Sequence, residues 1–191
     1  MKDITPDDAE LFRRASGGDR DAFEAIVMLH QAAALRLATV ISGDSTEAYD
    51  IVQEAFVRAY QSMATVRAGE SLRPWLMRIV ANQAKNSQRG RWRSDRRVDR
   101  QGRLRLIDAT GPEDAALGEI EAAALLRAIG LLSARDRDVL ACRYFAEMSE
   151  AETSVALGVA RGTVKSRTAR ALDRLRAGLD PSAGGTLGPS S

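Results

Sequence analysis

The sequence predicts an all-α protein of two small helical domains joined by a flexible linker, and three observations carry that expectation. Apolar residues recur at three- and four-residue intervals along most of the chain, the period of one helix face, and no stretch alternates as a strand would. Breakers such as Ser16-Gly17-Gly18, Ser42-Gly43-Asp44-Ser45 and Gly111-Pro112 cut the periodic stretches into short units. Hydrophobic residues make up 45% of the chain but aromatic ones only 5%, which suits small, alanine-rich helical cores better than one large core.

Taken in order, Pro6 to Ala15 reads as a short helix with Leu11, Phe12 and Ala15 on one side. Asp19 to Ile41 is a long helix whose stripe runs Phe23, Ile26, Leu29 or His30, Ala33, Leu37, Val40 and Ile41. Thr46 to Met63 is the clearest amphipathic helix: Ala48, Ile51, Val52, Ala55, Phe56, Ala59 and Tyr60 face one way, and Asp50, Gln53, Glu54 and Arg58 the other. A loop over Ala64 to Ser71 leads to Arg73-Pro74, with proline in the first turn of the next helix, where its missing N–H costs nothing. That helix buries Trp75, Leu76, Ile79 and Val80 and runs on into Asn82, Lys85, Asn86 and an arginine-rich stretch.

Arg89 to Arg105 holds eight arginines with Trp92 among them, and residues 98–113 read as an exposed linker. Domains are therefore expected over 7–97 and 114–179, with 180–191 a Gly/Ser/Pro-rich disordered tail. Asp114 to Leu132 is expected to be helical, with Leu117, Ile120, Ala124, Leu125 and Ala128 as its stripe. Ser133, followed by Asp136, can cap the next helix, which buries Val139, Leu140, Cys142 or Arg143, and Tyr144.

The most informative stretch is Met148 to Arg176. Ser149 or Glu150 opens a short helix, Gly158 supplies a turn suited to positive φ, and Val159 plugs the corner. The helix that follows places Val164, Thr168, Ala171, Leu172 and Leu175 on one stripe and Arg161, Lys165, Arg167, Arg170, Arg174 and Arg176 on the other face. One face packs and the other meets a polyanion, the layout of a helix-turn-helix with its recognition helix second.

The formal net charge of +2 conceals segregation. Positive blocks at 89–105 and 161–191 flank an acidic stretch at 106–160, as expected of two contacts with nucleic acid or of one contact and one flexible arm. Cys142 is the only cysteine and His30 the only histidine, so no disulfide framework and no Cys/His metal site can be assembled. No nucleophile–base pair, Gly-rich phosphate loop or metal cluster supports an enzyme, and neither a metal nor a cofactor is expected. An acidic start without a signal peptide, and no apolar run approaching ~20 residues, give the expectation of a cytoplasmic protein that does not insert into membrane.

Asp50-Ile51-Val52-Gln53-Glu54 with Ala55-Phe56, and Trp75 to Asn86 (WLMRIVANQAKN), make the chain resemble a bacterial sigma factor of the two-domain extracytoplasmic-function (ECF) group, sigma-70 family. Leu132-Ser133 and Gly162-Thr163-Val164-Lys165-Ser166-Arg167 extend the resemblance to the second half, so that it covers about residues 7–179. It implies a region 2 domain that docks on core RNA polymerase through Asp50, Gln53, Glu54 and Arg58. It further implies that the same domain melts the −10 element with Asn82, Lys85, Asn86, Arg89, Arg91 and Arg93, with Trp92 either a stacking platform or a packed side chain. The second domain would read the −35 element through Arg161, Thr163, Ser166, Arg167 and Arg170, with Lys165 and Arg174 on phosphates.

The implied partners are core polymerase, promoter DNA and a sequestering anti-sigma factor. Thr153, Ser154 and Thr168 depart from the family's usual apolar residues and imply a less apolar second core. The rival reading is a helix-turn-helix activator or repressor that never replaces sigma. Such a regulator needs neither the DxxQE helix nor the WLMRIVANQAKN segment.

Overall fold

A computed structural model describes residues 6–66, 69–94 and 124–179, and the described residues form helices and turns with no strand. The N-terminal half contains α1 (Pro6–Ser16), α2 (Arg20–Ser42), α3 (Ser45–Ser62) and α4 (Leu72–Ser94), with a 3₁₀ turn at Met63–Thr65. The C-terminal half contains α5 (residues 124–130), α6 (Ala134–Leu140) running into a π turn at Ala141–Phe145, α7 (Glu150–Leu157) and α8 (Arg161–Leu179). The expected linker at 98–113, the first turns of the expected helix from Asp114 and the tail at 180–191 lie outside the described residues.

Local chemistry sets the helix ends. The Asp19 carboxylate accepts from Ala22 N at the start of α2, and Asp44 accepts from both Thr46 N and Glu47 N at the start of α3. Between them Gly43 adopts φ 76°, which glycine reaches without a Cβ penalty, and its N–H closes on Thr39 O at 2.8 Å. Ser149 and Glu152 form a reciprocal capping box on α7, each side chain bonding the other's backbone N–H.

In the N-terminal half α2, α3 and α4 pack on one another around Ile26, Leu37, Ile41, Met63, Leu76, Met77 and Val80, and α1 lies across α2. Trp75 is a core residue, as its spacing predicted, with its ring 5.3 Å from that of Phe12. On α2 the open choice resolves in favour of His30, which is buried while Leu29 is exposed. That helix is 23 residues long with a window of mean hydropathy 1.5, enough by length and composition to cross a membrane. Half of the window is buried inside the bundle, where its apolar residues are already packed.

Three expected core residues are outside: Tyr60, Tyr144 and, on α5, Leu125, which is 37% exposed. Tyr60 is 45% exposed, because its ring stands edge-on to Phe23 at 5.0 Å at the rim of the α2–α3 pair. Tyr144 is exposed because the π turn, closed by Ala146 N on Ala141 O at 2.9 Å, widens the helix and rotates it away from the stripe. Cys142, not Arg143, fills the core there; burial pushes its thiol up to about 12.

The two halves do not stand apart. Helices α2 and α4 pack against α6, the π turn and α7, and buried residues of both halves form one continuous apolar cluster.

Candidate nucleic-acid interface

Helix α8, the expected recognition helix, is held by Val164, Ala171 and Leu175, which are buried, and by half-buried Thr168 and Leu172. Gly158 at φ 65° makes the corner before it, and Ser154 Oγ donates to Val159 O at 2.6 Å to hold that corner closed. With the inner stripe fixed, Arg161, Lys165, Ser166 and Arg170 point to solvent, and Thr163 is half-buried in the first turn. A helix anchored this way presents a row of cations and hydroxyls of the kind that meets phosphates and base edges in the major groove.

Two of the expected residues sit differently. Arg167 is half-buried at the edge of the packed stripe, not on the face opposite Val164, since three residues on a 3.6-residue helix return nearly to the same side. Arg174 donates through Nη1 to Asp136 Oδ2 at 2.7 Å, so it ties α8 to α6 while remaining half exposed.

A second surface lies in the N-terminal half. Asn82, Asn86 and Arg89 are exposed along α4, and Lys85 stands half-buried beside them. Together with Arg58, Gln61, Ser62, Ile79 and Gln83 they line a groove of about 720 Å³ between α3 and α4. The groove offers amide donors and acceptors alongside cations, a chemistry that suits single-stranded nucleic acid. Ser87 Oγ donates to Glu47 Oε1, a further tie between α4 and α3. Arg91, Trp92 and Arg93 continue the helix backbone of α4, but their side chains lie outside the described residues.

On α3, Asp50, Gln53, Glu54 and Arg58 are all exposed on one face, with Arg58 Nη2 bonded to Glu54 Oε1 at 2.9 Å. Sequence reasoning missed what lies next to this strip. Tyr49, Val57 and Tyr60 are exposed, and with Phe23, Val27, Val52 and Phe56 they line an apolar groove of about 810 Å³ between α2 and α3. The only signal was a second apolar row on α3, at Tyr49, Val57 and Tyr60, beside the main stripe. Among the described residues no group of three His, Cys, Asp or Glu could hold a metal ion.

Comparison with known proteins agrees with this layout. Residues 26–94 match the family model for sigma-70 region 2, and residues 128–177 that for sigma-70 region 4. RNA polymerase sigma factor NccH of Alcaligenes xylosoxydans is 31% identical over 187 residues, which span 95% of this chain and 99% of NccH. The ECF RNA polymerase sigma factor SigM of Mycobacterium tuberculosis is 33% identical over 168 residues, 88% of this chain and 82% of SigM. The fold is shared with the sigma factor RpoE of Bartonella quintana, crystallised with the anti-sigma factor NepR, at a TM-score of 0.67 and 26% identity over 83% of this chain and 97% of RpoE. With both regions matched in order and nearly the whole of NccH spanned, the chain belongs to the ECF group of RNA polymerase sigma factors in the sigma-70 family.

Proposed function

We propose that this chain binds core RNA polymerase through Asp50, Gln53, Glu54 and Arg58, opens the −10 element along α4, and reads the −35 element with α8. The observation that supports the reading is the coexistence of two separate surfaces of different chemistry, the amide- and cation-lined groove on α4 and the cationic outer row of α8. The α4 groove mixes amides with cations, as capture of unstacked bases requires, while α8 is an anchored helix with a cationic outer row, as duplex reading requires. Asn82 and Asn86 are the base-edge candidates on α4, and Arg89 a phosphate contact. On α8 the exposed Arg161, Ser166 and Arg170, with Thr163, are favoured for base edges, and Lys165 for phosphate. A regulator confined to duplex DNA would have no use for the exposed Asp50-Gln53-Glu54 strip or the groove.

The chain acts where the polymerase is, in the cytoplasm, and is held in check by an anti-sigma factor. Support for the second statement comes from RpoE, a relative of the same fold crystallised with one. The docking assignment is tested by reversing charge at Asp50 and Glu54 together. Both side chains are exposed, so the helix keeps its packed face and folding survives. Core association should be lost while binding to duplex −35 DNA is retained; normal core binding by the double variant would refute the assignment.

A further inference from the structure

The chain enters α8 on little packing. Val159 is half-buried, Ala160, Arg161 and Gly162 are exposed, Thr163 is half-buried, and the first buried side chain is Val164. The helix start is also weak in composition. Asp19, Asp44, Ser133 and Ser149 cap α2, α3, α6 and α7 through side-chain oxygens, whereas the residue before α8 is Ala160, whose methyl can accept nothing. The N–H groups of Thr163 and Val164 bond to its backbone carbonyl, at 2.9 and 3.1 Å. Gly162 then stands in the first turn with open space around it, and glycine is the poorest helix former after proline.

One residue of α7 compensates by spanning the corner. Ser154 O accepts from Gly158 N, and from Val159 N at 3.1 Å, bonds that the backbone of any residue could make. The side chain adds a third, since Ser154 Oγ donates to Val159 O at 2.6 Å, a well-formed length for a hydroxyl donor. A peptide unit is planar, so fixing the Val159 carbonyl also orients Ala160 N, and with it the direction in which α8 leaves the corner. Alanine at position 154 would keep the first two bonds and lose the third.

We infer that Ser154 is a positioning residue for base reading by α8: its hydroxyl, acting through the Val159 carbonyl, sets how Arg161 and Thr163 are presented to the duplex. The inference rests on the proposed −35 role of α8. Without the hydroxyl, only part of the free population holds the first turn of α8 in the reading geometry. Apparent affinity for a sequence read by Arg161 and Thr163 falls by that fraction. Binding through charge alone does not fall, because phosphate contacts carry no base information and tolerate a shifted cation. A contact that merely stabilised the domain would not favour one duplex over another.

The test uses the full-length chain assembled with core RNA polymerase. Wild type selects duplexes from a random-sequence pool, and the two probes are the selected duplex and the same duplex with its upstream selected block scrambled. Ser154→Ala is compared with Ser154→Thr, which retains a hydroxyl, and thermal unfolding verifies that each variant is folded. Position 154 is half-buried and alanine favours helix, so α7 persists in Ser154→Ala. The expected result is binding of Ser154→Ala to the selected duplex weakened about fivefold, the order of one neutral hydrogen bond, with the scrambled duplex unaffected. Ser154→Thr should restore the wild-type preference. In an Arg161→Ala background, loss of the hydroxyl should cost much less, since the two residues act through one geometry. A folded Ser154→Ala chain with undiminished preference, equal losses on both duplexes, or fully additive losses with Arg161→Ala would overturn the positioning role. A wild type that does not distinguish the two probes would instead refute −35 reading itself, and the inference with it.

Discussion

Arg174 Nη1 sits 2.7 Å from Asp136 Oδ2, and Asp136 is only 5% exposed. A cation expected from its spacing to serve DNA phosphate is thus engaged inside the protein, clasping α8 to the first turn of α6. Removing it leaves a buried carboxylate whose remaining support is the α6 N-terminus, where Ser133 also caps. Because the Arg174 side chain is more than half exposed, the full penalty for breaking a buried pair does not apply.

Arg174→Ala should therefore destabilise the protein by about 1–2 kcal/mol, read from the denaturant midpoint. Arg170→Ala, at an exposed position whose guanidinium bonds, among the described residues, only its own helix's Ser166 O, should leave stability within about 0.5 kcal/mol and weaken DNA binding instead. Equal midpoints for the two variants would show that the Asp136 clasp contributes nothing.

Thr153 is fully buried on α7, and its hydroxyl has no hydrogen-bond partner among the described residues. A buried unpaired hydroxyl costs free energy that a methyl of the same shape does not. Thr153→Val should raise stability by about 1 kcal/mol without altering the DNA face on α8. A neutral or negative change in the unfolding midpoint would mean that the hydroxyl is satisfied in solution.

His30 supplies an acid-sensitive element. Burial, the dominant cause, holds its imidazole below the usual range, and the Arg73 guanidinium pushes the same way; the Asp8 carboxylate, with Oδ1 3.4 Å from Nε2, opposes both. Since the folded value lies below the unfolded one, the unfolded chain takes up the proton first on acidification. Stability is then complete above about pH 6.5 and is lost as the pH falls below it. Between about pH 7.5 and pH 5.5 the wild type should lose more stability than His30→Leu, measured by urea unfolding at each pH. Parallel losses in the two proteins would exclude the imidazole as the source.

Much of this was legible because it is local. The helix periods, the helix start at Ser149 or Glu150, the Gly158 corner and the core position of Trp75 follow from residues close together in the chain. Tyr144 was misplaced because a π turn shifts the helical register without an evident local signal. Arg167 was misplaced because charge was assigned to the far face without following the 3.6-residue rotation through to the edge of the stripe. The packing of the halves and the Lys85–Asp138 pair had no sequence signature, since the partners lie far apart in the chain and Lys85 already had a DNA-facing explanation in its own helix. The apolar groove beside Asp50 and Glu54 was hidden because Tyr60 fits the core period and is excluded from the core only by where α2 crosses.

The most direct measurement of the central claim is promoter opening by a reconstituted enzyme. Core RNA polymerase with and without this chain is incubated with supercoiled DNA carrying a promoter selected by the chain, and unpaired thymines around the −10 element are mapped by permanganate. Reactive thymines and run-off transcripts should appear only with the chain present, and should be lost with the Asp50/Glu54 charge reversal. Binding to the same DNA with no opening and no transcript, or opening unaffected by the reversal, would contradict an initiation factor that docks through α3.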